Sequence, residues 1–153
     1  MTESDAIHAV DLIMHAMNRQ EADWAIRAFD FYFSCQKNKI DSAREYYAAW
    51  CDEILCGLAG LHHYRWGPPD NVWLSWFAVH PRYQRQGLGS ELINYIMDIA
   101  NRQGYKKMLI ETYSSEEFAV ARNFYQRHGF EQTGKIERYI DDDIAMLVYS
   151  KRI

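Results

Sequence analysis

The chain has 153 residues, of which 48% are apolar and 15% aromatic, so it is long and hydrophobic enough for a domain with a buried core. This composition excludes a disordered chain. The formal net charge of -4 argues against nucleic acid as a partner, because a general nucleic-acid-binding protein needs a basic face. No apolar run reaches the roughly 20 residues of a membrane span, so no membrane partner is expected.

The chain shows no repeat, low-complexity tract or linker, and residues 1–153 are therefore predicted to form a single domain. Its N-terminal residues lack a basic segment followed by an apolar one, so we expect no secretion and a cytoplasmic location. The three cysteines, Cys35, Cys51 and Cys56, show no Cys-x-x-Cys spacing. We therefore expect reduced thiols, with neither a disulfide nor a metal site.

Two helices are predicted at the N-terminal end of the chain. Residues 5–17 carry their apolar side chains largely on one helical face, and Ser4 or Asp5 can cap that helix. A second helix is predicted over residues 22–34, where the apolar period is less regular.

Three antiparallel strands are predicted next. The runs 44–50 and 54–64 are rich in aromatic and apolar residues, and the polar turn at 51–53 joins them into a hairpin. The breaker Gly67-Pro68-Pro69-Asp70 separates this hairpin from a third strand over residues 71–79.

A βαβ unit is predicted after the third strand. A helix over residues 89–103, ended by Gly104, leads into a strand over residues 107–113. A crossover helix of this kind makes its two strands parallel.

The C-terminal part is predicted to add a helix and a closing hairpin. Ser114-x-x-Glu117 has the spacing of a capping box for a helix that ends at His128-Gly129. Residues 130–139 and 144–153 are predicted strands. The whole order predicts an α/β fold, with one mixed, mostly antiparallel sheet and helices on both faces.

The segment from Val79 to Ser90 carries the clearest functional signal. It reads Val-His-Pro-Arg-Tyr-Gln-Arg-Gln-Gly-Leu-Gly-Ser and joins a strand to a helix N-terminus. The first helical turn leaves backbone N–H groups unpaired, and Gly87 and Gly89 would let a phosphate approach them. An ordinary turn before an ordinary helix is the alternative. Dinucleotide and Walker-type sites fit poorly, because their glycine patterns are absent.

The spacing Gln84-x-x-Gly87-x-Gly89 after a Val-x-Pro strand end closely resembles the pyrophosphate loop of the GNAT superfamily, the acetyl-CoA-dependent N-acetyltransferases. The resemblance covers nearly the whole chain and implies a GNAT-like fold with acetyl-CoA as co-substrate and no metal. That family usually begins with a strand before the first helix, which is expected to be short or absent here. The resemblance implies cofactor-binding roles for Phe77, Ala78, Val79, Gln84, Arg85, Gln86, Gly87, Leu88, Gly89 and Ser90.

In the resembled fold, the strand ending at Val79 splays from the parallel strand beside it, and pantetheine fills the opening. The resemblance implies that the Phe77 carbonyl and the Val79 N–H bond the pantetheine arm, as an added strand would. A backbone N–H near Val79 would then polarise the thioester.

A second motif, Ala121-x-x-x-Tyr125-x-x-x-Gly129-Phe130, also resembles the family. Ala121 and Tyr125 share one helix face. The resemblance implies that the Tyr125 hydroxyl protonates the departing CoA thiolate, and a phenol is neutral and able to do so at pH 7. A packed core tyrosine is the alternative.

The general base is not identified by the sequence, because the strand 71–77 carries no acid. An alkylammonium must lose a proton before it can attack. Water relayed through Ser75, or one of Glu45, His62, His63 and Glu111, remains open.

These features predict an N-acetyltransferase that moves an acetyl group from acetyl-CoA to a primary amine by direct transfer in a ternary complex. The aromatic second helix and the loop 66–70 favour a small-molecule amine as acceptor. A peptide N-terminus, a protein lysine, transfer to oxygen or of a longer acyl chain, and a non-catalytic acyl-CoA-binding sensor of the same fold are the alternatives. The resemblance also leaves a homodimer through the terminal strands open.

Overall fold

The computed structural model describes all residues, 1–153. The helices are α1 (Ala6–Ala16), α2 (Arg19–Lys37), α3 (Leu88–Arg102) and α4 (Ala119–Arg127). The strands are β1 (Arg44–Cys51), β2 (Ile54–His62), β3 (Asn71–Val79), β4 (Lys107–Tyr113), β5 (Glu131–Ile136) and β6 (Met146–Arg152). Short 3-10 turns cover Glu3–Asp5, Pro81–Tyr83 and Glu116–Phe118. None of the helices combines the length and the apolar character that crossing a bilayer requires.

The strands form one sheet in the order β1-β2-β3-β4-β6-β5. Only β3 and β4 run parallel, and every other neighbouring pair is antiparallel. The crossover between β3 and β4 is α3, as the βαβ pattern predicts. The predicted α/β fold with one mixed, mostly antiparallel sheet is confirmed.

Two hydrophobic cores lie on opposite faces of this sheet. Leu58 belongs to one core and its neighbour Ala59 to the other, and successive strand residues point to opposite faces. The core on the first face contains α1 and α2 residues such as Leu12 and Phe29. The core on the second face contains α3 residues such as Ile93 and the α4 residue Tyr125.

The N-terminal region agrees with the expectation that the first family strand is short or absent, because no strand precedes α1. The second helix begins earlier than the predicted start at Ala22. The reason is Asn18, which caps α2 by accepting a hydrogen bond from the Glu21 backbone N–H at 2.9 Å.

The predicted capping box at Ser114 and Glu117 is wrong, because both side chains bind other elements. The Ser114 hydroxyl accepts a hydrogen bond from the Ala145 N–H at 2.9 Å. Glu117 Oε1 accepts one from Asn18 Nδ2 at 3.2 Å, which ties the start of α2 to the turn after β4. The helix α4 therefore begins behind a 3-10 turn rather than at Ser114.

The expectation of three reduced thiols is also wrong for two of them. Cys51 and Cys56 form a disulfide across the β1–β2 hairpin, with their Cα atoms 5.7 Å apart, whereas Cys35 is free and buried. The strand register places Cys51 opposite Ile54. The tight turn therefore brings Cys56 within the usual range of a disulfide without any Cys-x-x-Cys spacing.

Candidate active site

The segment between β3 and α3 presents a row of unpaired backbone N–H groups. Arg85 and Gly87 have left-handed φ values of 61° and 95°, which turn the chain sharply before α3. None of the N–H groups of residues 85–89 donates a hydrogen bond to another protein group. Free N–H groups at a helix N-terminus attract anions. This turn therefore has the geometry of a phosphate cradle.

Two glutamine side chains brace the turn. Gln84 Nε2 donates to the Val79 carbonyl at 2.9 Å, and Gln86 Nε2 donates to the Arg82 carbonyl at 2.7 Å. The turn is thus held to the end of β3 by its own side chains, so its N–H groups are oriented before any anion arrives.

The two glycines of the turn serve different purposes. A Cβ on Gly87 would meet nothing within 4 Å, so the space in front of the N–H groups is open. A Cβ on Gly89 would lie 3.3 Å from the Phe124 ring and 3.7 Å from Val79. Gly89 therefore also lets α3 pack closely against α4.

The strands β3 and β4 separate next to this turn. Their parallel pairing ends at Leu74 and Ile110. Directly after it, β3 has a bulge, where Trp76 and Phe77 together face one residue of β2 and Trp76 takes a φ of 35°. A bulge bends a strand and increases its twist. It turns the end of β3 away from β4 and opens a gap between them.

The backbone of β3 offers hydrogen-bonding groups to this gap. The His80 N–H bonds the Cys56 carbonyl at 2.9 Å, so it points towards β2. Successive N–H groups of a strand point to opposite sides. The Val79 N–H and the Phe77 carbonyl therefore point away from β2 and into the gap. Ala78 lies between them, buried and paired with Leu58.

Tyr125 lies at the α3/α4 side of the gap. Its side chain is 6% exposed, and its ring packs edge-on against Phe77, Phe124 and Phe130. Burial raises the pKa of the Tyr125 hydroxyl. The phenol is therefore protonated at neutral pH and able to donate a proton.

Carboxylates lie on the opposite side of the gap, towards α1 and α2. Glu111 is the first β4 residue beyond the last β3–β4 pair, and burial raises its pKa although its side chain is exposed to water. A side chain that has protein around it but still reaches water is typical of a residue that lines a cleft. Glu21 of α2 lies near it, buried and hydrogen-bonded by Trp76 Nε1 at 3.2 Å.

The other three residues considered as bases, Glu45, His62 and His63, form contacts away from the gap. Glu45 accepts hydrogen bonds from Tyr47 and from Gln103 at the end of α3. His63 is hydrogen-bonded to Tyr105 at 3.0 Å. His62 stacks on Trp73, and burial lowers its pKa to about 4.

The sequence of the chain matches that of known acetyltransferases. The family model described as the acetyltransferase (GNAT) family matches residues 10–130 of the chain. The chain belongs to the GNAT acetyltransferase family. An uncharacterized N-acetyltransferase, YsnE of Bacillus subtilis, is 26% identical over 108 residues, covering 69% of this chain and 68% of that protein.

Solved GNAT structures share the fold. A putative GNAT acetyltransferase from Desulfovibrio desulfuricans superposes with a TM-score of 0.86 at 21% identity, covering 97% of this chain and 92% of that one. A GNAT acetyltransferase from Elizabethkingia anophelis with acetyl-CoA bound gives a TM-score of 0.71 at 20% identity, covering 94% and 89%.

Within this GNAT domain, the residues that the sequence predicted as a site lie around one gap. Phe77, Ala78 and Val79 form its β3 edge, and Gln84 to Gly89 form the turn beside it. Ser90 follows the turn. Its N–H donates to the Gly87 carbonyl at 2.9 Å, and its hydroxyl bonds His128 Nε2 at 3.1 Å, which links α3 to α4.

Sequence reasoning missed Glu21 and Trp76 on the other side of the GNAT gap. Glu21 lies just before the predicted second helix, which was expected to begin at residue 22, and Trp76 lies in a predicted strand. No motif connects residues 55 positions apart. The same helix also carries Asp23 and Asp30, so no local signal distinguished Glu21 from the other acids.

Proposed function

We propose that this protein transfers the acetyl group of acetyl-CoA to a primary amine of a small molecule, by direct attack in a ternary complex. The observation that carries the proposal is the gap between β3 and β4, which opens beside a turn of unpaired N–H groups and is flanked by Tyr125. A gap open on both sides of a sheet lets two substrates meet from opposite faces.

The proposed site for acetyl-CoA is the α3/α4 side of the gap. The free N–H groups of residues 85–89 would hold the pyrophosphate, with Arg85 adding positive charge. The Phe77 carbonyl and the Val79 N–H would pair with the pantetheine amides as an added strand does. The acetyl-CoA bound to the GNAT protein of E. anophelis supports this choice of substrate.

The proposed chemistry uses few protein groups. The neutral amine attacks the thioester carbonyl carbon, and the C–N bond forms as the C–S bond breaks. A backbone N–H at Val79 stabilises the developing oxyanion. Tyr125 protonates the departing thiolate, which otherwise would be a poorer leaving group.

A small acceptor is favoured by the wall that α2 forms over the gap. The hydrogen bond between Asn18 and Glu117 fastens the N-terminal end of α2 to the turn after β4. A long peptide needs an open groove across this face, and the hydrogen bond between Asn18 and Glu117 narrows the entrance to the gap. A protein or peptide acceptor remains the second candidate.

Thiol release from acetyl-CoA tests the proposal. We expect release on addition of one or more of 2-phenylethylamine, 1,4-diaminobutane and spermidine, with an acetylated amine detected by mass spectrometry. An alanyl peptide tests the second candidate. Binding of acetyl-CoA without thiol release for any amine or peptide would favour a sensor of the same fold.

A matched pair of glycine variants tests the phosphate turn. Gly87 and Gly104 have φ values of 95° and 96°, and a Cβ on either would meet nothing within 4 Å. Each change to alanine should therefore cost a similar free energy of unfolding, about 1 to 2 kcal/mol. Gly87→Ala should also weaken acetyl-CoA binding about tenfold, since the strained turn disorders its N–H groups.

Isothermal titration of both variants with acetyl-CoA separates the two effects. Gly104→Ala, at the far end of α3, should bind like the wild type. Equal affinities for acetyl-CoA in the two variants would show that the turn is not part of the cofactor site.

The proposed location is the cytoplasm, which the sequence predicts. In that compartment we expect cellular thiols to reduce the Cys51–Cys56 disulfide, so both cysteines would be thiols there.

A further inference from the structure

Glu21 is a buried carboxylate without a positive partner. Its side chain is 9% exposed, and its one side-chain hydrogen bond is the 3.2 Å contact from Trp76 Nε1 to Oε2. The ion pairs of the protein all lie at its surface, and none includes Glu21. A buried carboxylate is costly unless a cation or hydrogen-bond donors complete it. No cationic side chain forms an ion pair with Glu21 to offset this cost.

Glu21 lies beside the gap between β3 and β4. Trp76, which holds Glu21, is the bulge residue with a φ of 35°, and a bulky residue takes that conformation only when its surroundings enforce it. On the β4 side, Glu117 accepts the hydrogen bond from Asn18, one turn before Glu21 on α2. The first turns of α2 thus reach from β3 to the end of β4, across the mouth of the gap.

The charged groups that face Glu21 are mostly negative. Burial raises the pKa of Glu21, the Trp76 hydrogen bond lowers it, and the carboxylates of Glu111 and Glu117 raise it again. Burial raises the pKa of Tyr113 on β4, and the charges of Glu21 and Glu111 add to that rise. Two cations lie nearby. Arg44 offsets part of the rise that burial causes in the pKa of Glu111, and Arg122 of α4 donates to the Tyr113 and Ser115 carbonyls at 2.7 Å. The potential at this mouth therefore attracts a cation.

We propose that Glu21 receives the ammonium group of the acceptor and takes its proton before acetyl transfer. This inference rests on the proposed function and names the acceptor class: a cationic primary amine whose ammonium enters between the carboxylate of Glu21 and the rings of Trp76 and Tyr113. Aromatic faces add to the attraction for a cation. Glu111, further along the gap, shares the negative potential and is the rival base.

The protons balance along this route. The ammonium gives one proton to the Glu21 carboxylate, which later releases it to water. The neutral amine then forms the C–N bond. Tyr125 gives its proton to the CoA thiolate as the C–S bond breaks. The nitrogen loses its second proton as the amide forms, and transfer of that proton through solvent restores the Tyr125 hydroxyl.

The test compares Glu21→Gln with Asp23→Asn, using 2-phenylethylamine as acceptor. Gln keeps an oxygen for the Trp76 hydrogen bond, and Asp23 is an exposed acid on the same helix. We expect Glu21→Gln to lower kcat/KM for the amine at least tenfold, with unchanged acetyl-CoA binding. Asp23→Asn should behave like the wild type.

A second acceptor separates a proton-accepting role from a structural one. The β,β-difluoro analogue of 2-phenylethylamine is less basic, so more of it is neutral at pH 7. The defect of Glu21→Gln should shrink several-fold with this analogue. A defect of equal size with both amines would show that Glu21 only shapes the pocket and would overturn the inference.

The pH profile gives a third readout. A base works when deprotonated, so wild-type kcat/KM should fall as the pH drops through the raised pKa of Glu21. Trp76→Phe removes the donor that lowers this pKa, so it should move the fall to higher pH. If Glu111→Gln abolishes the fall of kcat/KM at low pH while Glu21→Gln keeps it, Glu111 is the base instead of Glu21.

The outcomes distinguish the two proposals. Wild-type thiol release with a normal Glu21→Gln variant overturns the inference and leaves the proposed function standing. If 2-phenylethylamine gives no release, the variants are compared with whichever amine of the panel does. No wild-type release with any acceptor overturns both.

Discussion

Replacing Tyr125 by phenylalanine should lower kcat for thiol release about 100-fold or more, the usual size of a general-acid contribution. The ring contacts with Phe77, Phe124 and Phe130 do not involve the hydroxyl, so the core around it should remain packed. Stopped-flow or steady-state thiol assays at saturating substrates give the change in kcat, and calorimetry gives the affinity for acetyl-CoA, which should not change.

Tyr95→Phe is the matched control for this variant. Tyr95→Phe also removes a tyrosine hydroxyl, but Tyr95 lies on α3, is 54% exposed and is outside the gap. It should turn over like the wild type. If Tyr125→Phe also keeps its kcat, the hydroxyl is not the acid and Tyr125 is a packed core residue.

Phe29→Ala should lower the free energy of unfolding by about 3 to 5 kcal/mol, as truncation of a buried phenylalanine usually does. Phe29 is 1% exposed and packs edge-on against Tyr46 at 4.9 Å and at a tilt against Trp76 at 5.8 Å. It holds α2 on the sheet just below the bulge. Urea denaturation measures the change.

Phe31→Ala on the same helix is the control for Phe29→Ala. The Phe31 side chain is 53% exposed, and its loss should change the free energy of unfolding by only about 0.5 kcal/mol. Similar losses in both variants would mean that α2 does not pack on the sheet through Phe29. The amine affinity of Phe29→Ala should also fall, because Trp76 loses its support beside Glu21.

The strands and the turn before α3 could be predicted from the sequence because their signals are local. The β3 and β4 strands begin and end where the apolar runs 71–79 and 107–113 do. Gly104 and Gly129 take the positive φ values of 96° and 81° that their places after helices require. The turn with Gly87 and the neighbouring position of Tyr125 follow from motifs that span few residues.

The acceptor side could not be predicted because it depends on contacts between distant parts of the chain. The Trp76–Glu21 hydrogen bond joins residues 55 positions apart, and the Asn18–Glu117 bond joins residues 99 apart. The capping-box spacing failed for the same reason, since Ser114 and Glu117 bond to other elements instead of to each other. The disulfide depended on the register of the first hairpin, which the spacing of the cysteines does not reveal.

The central claim is that the gap between β3 and β4 binds acetyl-CoA, and thermal unfolding with and without acetyl-CoA tests it most directly. At 100 times its dissociation constant, a ligand stabilises the native state by about 2.7 kcal/mol. For a domain of this size we therefore expect the midpoint to rise by about 5 to 10 °C. A cooperative transition whose midpoint does not move at millimolar acetyl-CoA would contradict the claim and leave residues 79–90 as a turn without a ligand.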